Sequence, residues 1–147
     1  MTIANIKEWF EQAVPEPTDK NRAVQIGCHF EEVGEMADAI LPGSQLGVDL
    51  HNLANHLKAG AQSPEQVENA KGAFARMDRA EFLDALCDQI VTAVGVAHMF
   101  NLDIIGALAE VNRSNWSKFV DGKPVFDANG KIAKPATYSP PDLSKFV

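Results

Sequence analysis

Three glutamates fall within five residues at Glu31-Glu32-Val33-Gly34-Glu35, in the middle of a helical pattern running from about Ala23 to Leu41. At about 100° per residue, Glu31, Glu35 and Asp38 share one face, with Glu32 at its margin. The opposite arc carries Ile26, Phe30, Val33, Met36, Ala37 and Ile40. No Lys or Arg stands between Arg22 and Lys58, so the glutamate cluster has no basic residue near it along the helix. Carboxylates crowded in this way call for a cation or raise one another's pKa. A second acidic face, Glu81, Asp84 and Asp88, lies within about 60° on another helical pattern. Oxygen-only donors on two helices suit a hard divalent ion, Mg²⁺ or Mn²⁺, which leaves positions open for water and phosphate. A di-iron carboxylate bundle needs Glu-x-x-His. No glutamate here is followed by histidine three residues on.

The elements that must position these residues are helices. The spacing predicts a first helix over Ile3–Val14, with Thr2 as a possible N-cap and Pro15-Glu16-Pro17 as its stop. Thr18 caps the second, which Pro42-Gly43 ends. Gly27 and Gly34 within it imply close approach of a neighbouring helix or a ligand. Leu46, Leu50, Leu53 and Leu57 predict a short third helix ending at Gly60. Ser63-Pro64-Glu65-Gln66 opens a fourth, with Val67, Ala70, Phe74 and Met77 as its apolar face. Asp78-Arg79-Ala80-Glu81 resembles a capping box and opens a helix to about Phe100, with Leu83, Leu86, Cys87, Ile90, Ala93, Val94 and Ala97 as its buried arc. Asp103 caps a last helix to about Phe119, which carries Asn112, Arg113, Asn115 and Lys118. Asp121-Gly122 is a turn signal, and Asn129-Gly130 predicts a hairpin joining Val125–Asp127 to Lys131–Ala133. The expected fold class is all-α: one domain over 1–147, a bundle of four to six helices with a C-terminal hairpin and extended tail.

The chain of 147 residues is long enough to bury a core. Its formal charge of −7 argues against a nucleic-acid polymer as partner. The body through Ser117 holds 17 acids and 8 bases, whereas Lys118 onward holds 5 lysines and 3 aspartates. The apolar runs are short and interrupted by charge, so neither a transmembrane helix nor a membrane partner is expected. The N-terminal segment lacks a signal-peptide pattern, so the expected location is the cytoplasm. Cys28 and Cys87 read as small core residues, and His29, His51, His56 and His98 as ordinary histidines without zinc spacing. Exposed apolar stretches at Trp9-Phe10 and Leu46 to Leu57 lead us to expect a homodimer or homotetramer.

EEVGE on one helix, DALCD at Asp84 to Asp88 on another, and then EVNRSNWSKF together resemble the MazG-like all-α nucleoside triphosphate pyrophosphohydrolases. The resemblance is to the branch grouped with phosphoribosyl-ATP pyrophosphohydrolase. The tail segments DGKP, NGKIAKP and YSPPDL resemble that branch as well. The likeness covers roughly Thr18 to Leu41 and Asp78 to Leu143.

This resemblance implies Mg²⁺-dependent cleavage of a nucleotide between its α- and β-phosphates, giving a monophosphate and pyrophosphate. It implies Glu32 and Glu35 as metal ligands, with Glu31 orienting or deprotonating the attacking water. The family's second helix carries ExxD, which Glu81-Phe-Leu-Asp84 fits in spacing. Because Glu81 also has a capping role, Asp84 and Asp88 are taken as the ligands, with Glu81 third. Lys118 is placed to reach a phosphate, Asn112 and Asn115 to bond base or sugar, and Lys123, Lys131 and Lys134 are further cations in the tail. The expected function is hydrolysis of a (deoxy)nucleoside triphosphate in nucleotide-pool housekeeping. The alternatives are phosphoribosyl-ATP hydrolysis and a non-catalytic helical oligomer that binds metal or nucleotide.

Overall fold

Capping chemistry sets the helix starts. In the computed structural model, which describes residues 3–59, 62–127 and 131–147, there are six α-helices. They are α1 (Ile3–Ala13), α2 (Asp19–Ile40), α3 (Gln45–Ala59), α4 (Pro64–Arg76), α5 (Arg79–Met99) and α6 (Ile104–Trp116). Thr18 and Asn21 form a reciprocal capping box at α2, and Ser63 and Gln66 form another at α4. The Asp78 carboxylate accepts from the amides of Ala80 and Glu81, and that of Asp103 accepts from Gly106. The all-α expectation holds. Thr2, Gly60 and the Asn129-Gly130 turn lie outside the described residues.

Two compact units make up the chain, one of residues 16–77 and one of residues 1–15 with 78–147. In the first unit, Gly43 at φ 73° turns the chain so that α3 runs back along α2. The buried residues of α2 are Ala23, Gly27, Gly34 and Ala37, and those of α3 are Gly47 and Ala54. This seam of small residues lies roughly 75° around α2 from the apolar arc read from hydropathy. Met36 and Ile40 of that arc are exposed. The reason is steric. A Cβ on Gly27 would stand 2.5 Å from Lys58 Cγ and 2.9 Å from the Ala54 carbonyl oxygen, and one on Gly47 would collide with the Asp38 carboxylate. Backbones this close need glycine and alanine, which carry little hydropathy signal.

In the other unit, α1 and the tail both attach to α6. Trp9 is buried, against the exposed position expected for it, and its indole Nε1 donates to the Asn115 carbonyl at 3.0 Å. Its ring meets Phe10 and Phe119 edge-on, at 4.9 and 5.7 Å between centroids. Helix α6 stops at Trp116. Phe119–Val120 (β1) then pairs antiparallel with Lys123–Pro124 (β2) around Asp121 and Gly122, both at positive φ. The expected pairing of Val125–Asp127 with Lys131–Ala133 is present as a bridge between Phe126 and Ile132, flanked by two backbone hydrogen bonds.

Helix α5 departs most from expectation. Of its predicted buried arc only Ala97 is buried. Leu83 keeps 62% exposure and Ile90 50%, and Cys87 is exposed. Within its unit, α5 meets α6 beside the Asn101–Asp103 turn, which leaves most of its length without a packing layer. Cys28 is half-buried, and both cysteines are free. By length and composition alone α5 is also apolar enough to cross a membrane, which the charge-interrupted sequence pattern did not anticipate. Asp84 and Asp88 would each oppose that by about 2.5–3.5 kcal/mol at a bilayer centre.

Candidate functional site

The acidic face of α2 borders the small-residue seam, so α3 supplies its partners. Lys58 Nζ donates to Glu31 Oε1 at 2.8 Å, and His51 Nε2 lies 2.8 Å from Asp38 Oδ2. The His51 ring lies where Gly34 lacks a side chain, with its Cε1 3.0 Å from the place a Cβ would take. The cation that the glutamate cluster demanded is therefore, at Glu31, a lysine ammonium. With side-chain exposures of 21% and 24%, the Lys58–Glu31 pair is shielded well beyond an ordinary surface ion pair. Glu32 and Glu35 are exposed, on the part of α2 that faces solvent.

Neither Lys58 nor His51 was among the residues singled out from sequence. A signal for both existed. The two pairs are centred on the same point, between Ser44 and Gln45, as an antiparallel hairpin folding at Pro42-Gly43 requires.

Asp84 and Asp88 stand one turn apart on α5, both exposed, and Glu81 is exposed one turn before Asp84. Glu31, Glu32 and Glu35 belong to the unit of residues 16–77, whereas Asp84 and Asp88 belong to the other. Among the described residues no three or more His, Cys, Asp or Glu side chains gather about one point that could hold a metal ion. The donor chemistry nevertheless fits a hard ion. Mg²⁺ is commonly held by one or two carboxylates, with water and substrate phosphate completing the shell. Glu32 with Glu35, and Asp84 with Asp88, each offer such a pair.

At the end of α6, Asn115 and Lys118 come together, Lys118 Nζ donating to Asn115 Oδ1 at 2.8 Å. Asn112 lies one turn earlier and is buried, at 2% exposure. The tail is fastened alongside. Arg113 donates to both Glu110 oxygens, to Ser139 Oγ and to the Pro140 carbonyl, and the Asp142 amide donates to Glu110 Oε1. The hydrogen bonds from Arg113, followed by that from the Asp142 amide, hold the Glu110 carboxyl down to about 2. The same pairing pushes Arg113 up, and hydrogen bonds from Ser144 pull Asp142 below the usual carboxylate range.

No family model, curated protein or solved structure matches this chain.

Proposed function

We propose that the protein is a Mg²⁺-dependent nucleotide pyrophosphohydrolase of the MazG-like type, cleaving a (deoxy)nucleoside triphosphate to a monophosphate and pyrophosphate. The observation that carries this reading is the α2 face itself. Glu31 is fixed by Lys58 on a tightly packed helix pair, while Glu32 and Glu35 beside it face solvent. A carboxylate fixed by a neighbouring ammonium is held in one orientation, as a group that aims water must be. Glu32 with Glu35, and Asp84 with Asp88, are the carboxylate pairs assigned to Mg²⁺. Bound Mg²⁺ would supply charge neutralisation of the phosphates and a more acidic water. Asn115 and Lys118 supply a hydrogen-bonding edge and a cation for the substrate.

A binding-only helical oligomer is the second reading. It is favoured by the exposed apolar side chains of α5, such as Leu83 and Val91. One assay separates the two. Purified protein is incubated with Mg²⁺ and a panel of NTPs, dNTPs and phosphoribosyl-ATP, and the products are resolved by chromatography. Monophosphate and pyrophosphate from a triphosphate support the proposal. Turnover of phosphoribosyl-ATP alone would move the assignment to that substrate, and binding without product would leave the second reading.

A further inference from the structure

Tyr138 is the single tyrosine of the chain, and two ammonium groups converge on it. Lys118 Nζ lies 5.9 Å from its ring centroid and Lys134 Nζ 5.3 Å. Neither the Lys134 ammonium nor the Tyr138 phenol has an ion pair or hydrogen bond among the described residues. The position of the ring is built rather than incidental. The Tyr138 amide donates to the Pro135 carbonyl at 2.9 Å, closing a turn that also presents Lys134. The Ser139 amide donates to Ser117 Oγ at 2.8 Å, and Arg113 holds Ser139 Oγ and the Pro140 carbonyl. Tail and helix end are thus tied on the residues next to Tyr138, and its half-buried ring is approached by one lysine from the turn after α6 and one from the tail.

We propose that Lys118, Lys134 and Tyr138 form a polyphosphate-binding site at the end of α6. One ammonium group from each segment, the phenol of the ring they share and the side-chain amide of Asn115 suit an extended anion with several oxygens, such as pyrophosphate or the phosphate chain of a nucleotide. The site gives the tail a role in holding the phosphates of the proposed substrate, and for that ligand class it rests on the hydrolase reading.

The full chain labelled with 3-fluorotyrosine gives one ¹⁹F resonance, from Tyr138. It is titrated without divalent metal, so that turnover plays no part, using pyrophosphate, ATP, AMP and adenosine. Saturable shifts with pyrophosphate and ATP, weak shifts with AMP and none with adenosine are expected. A tighter ATP response than pyrophosphate response identifies the nucleotide chain as the ligand, and equal responses identify pyrophosphate. Lys134→Met, at an exposed position, raises the dissociation constant about tenfold, and Lys134→Arg largely restores it. No shift with pyrophosphate or ATP at millimolar concentration, or shifts unchanged by Lys134→Met, would overturn the site. Hydrolysis without these shifts leaves the enzyme reading standing and removes this site. Shifts without hydrolysis do the reverse.

Discussion

Lys58 and Glu31 meet at 2.8 Å across the α2–α3 hairpin, 27 residues apart in sequence. The pair sits beside Gly27, whose missing side chain leaves room for the Lys58 stem. Close packing and charge pairing are therefore coupled, because the lysine reaches the glutamate over the glycine.

Replacing Lys58 by Met leaves a partly buried carboxylate without its ammonium and is expected to cost about 1–2 kcal/mol. Urea denaturation checks this through the midpoint at constant slope. The double variant Glu31→Gln with Lys58→Met should lose less than the two single losses added. Strict additivity would mean that the two side chains do not interact.

Gly27→Ala sets propensity against space. Alanine favours an isolated helix by up to about 1 kcal/mol. The new Cβ, however, meets the Ala54 carbonyl oxygen at 2.9 Å, a backbone atom that cannot step aside. Net destabilisation of about 1–3 kcal/mol is expected. Gly72→Ala in α4 is the control, since its nearest neighbour would be a flexible Arg76 nitrogen at 3.7 Å. That variant should gain about 0.4–1 kcal/mol. Thermal melts of both variants test the contrast.

The Glu110 carboxyl titrates at about 2 in the folded chain, against an ordinary value of 4.5. Its folded pKa is depressed, so its contribution to holding the tail is complete above pH 4.5. That contribution is lost as pH falls toward 2. Carbon-detected titration of Glu110, with amide exchange at Asp142 and Ser139, should show the tail attached at pH 4 and released near 2. In Glu110→Gln the tail signals should lack this acid dependence.

If the proposed reaction is right, Glu35→Gln and Asp88→Asn each lower turnover by about 100-fold or more, with little change in melting temperature because both side chains are exposed. Lys118→Met should act mainly on KM. Unchanged turnover in Glu35→Gln and Asp88→Asn would remove those residues from the chemistry.

Local chemistry was legible in the sequence. Thr18, Ser63, Asp78 and Asp103 each cap the helix they were expected to cap, because a cap depends on residues within one turn. The face of α2 that packs was less legible. Hydropathy favoured Met36 and Ile40, whereas the seam is Gly27, Gly34 and two alanines, chosen by approach distance rather than by transfer energy. Of the candidate site, the sequence placed the α2 carboxylates and Asn115 correctly on their helices, whereas Lys118, expected on the last helix, lies in the turn after α6 because that helix stops at Trp116. It missed Lys58 and His51, because pairing across a hairpin depends on which faces meet. The contacts of Lys134 and Tyr138 depend on where the tail docks, and no periodicity in an extended segment encodes that.

Trp9 and its acceptor Asn115 are 106 residues apart. Synthesis from the N-terminus therefore produces α1 long before the helix that buries its tryptophan. Over that interval the whole of residues 16–77 emerges, a contiguous unit whose hairpin contacts are local. Local contacts form quickly, and distant ones wait on loop closure. On the ribosome, the α2–α3 hairpin would be complete while α1 still exposes Trp9 to whatever meets it first.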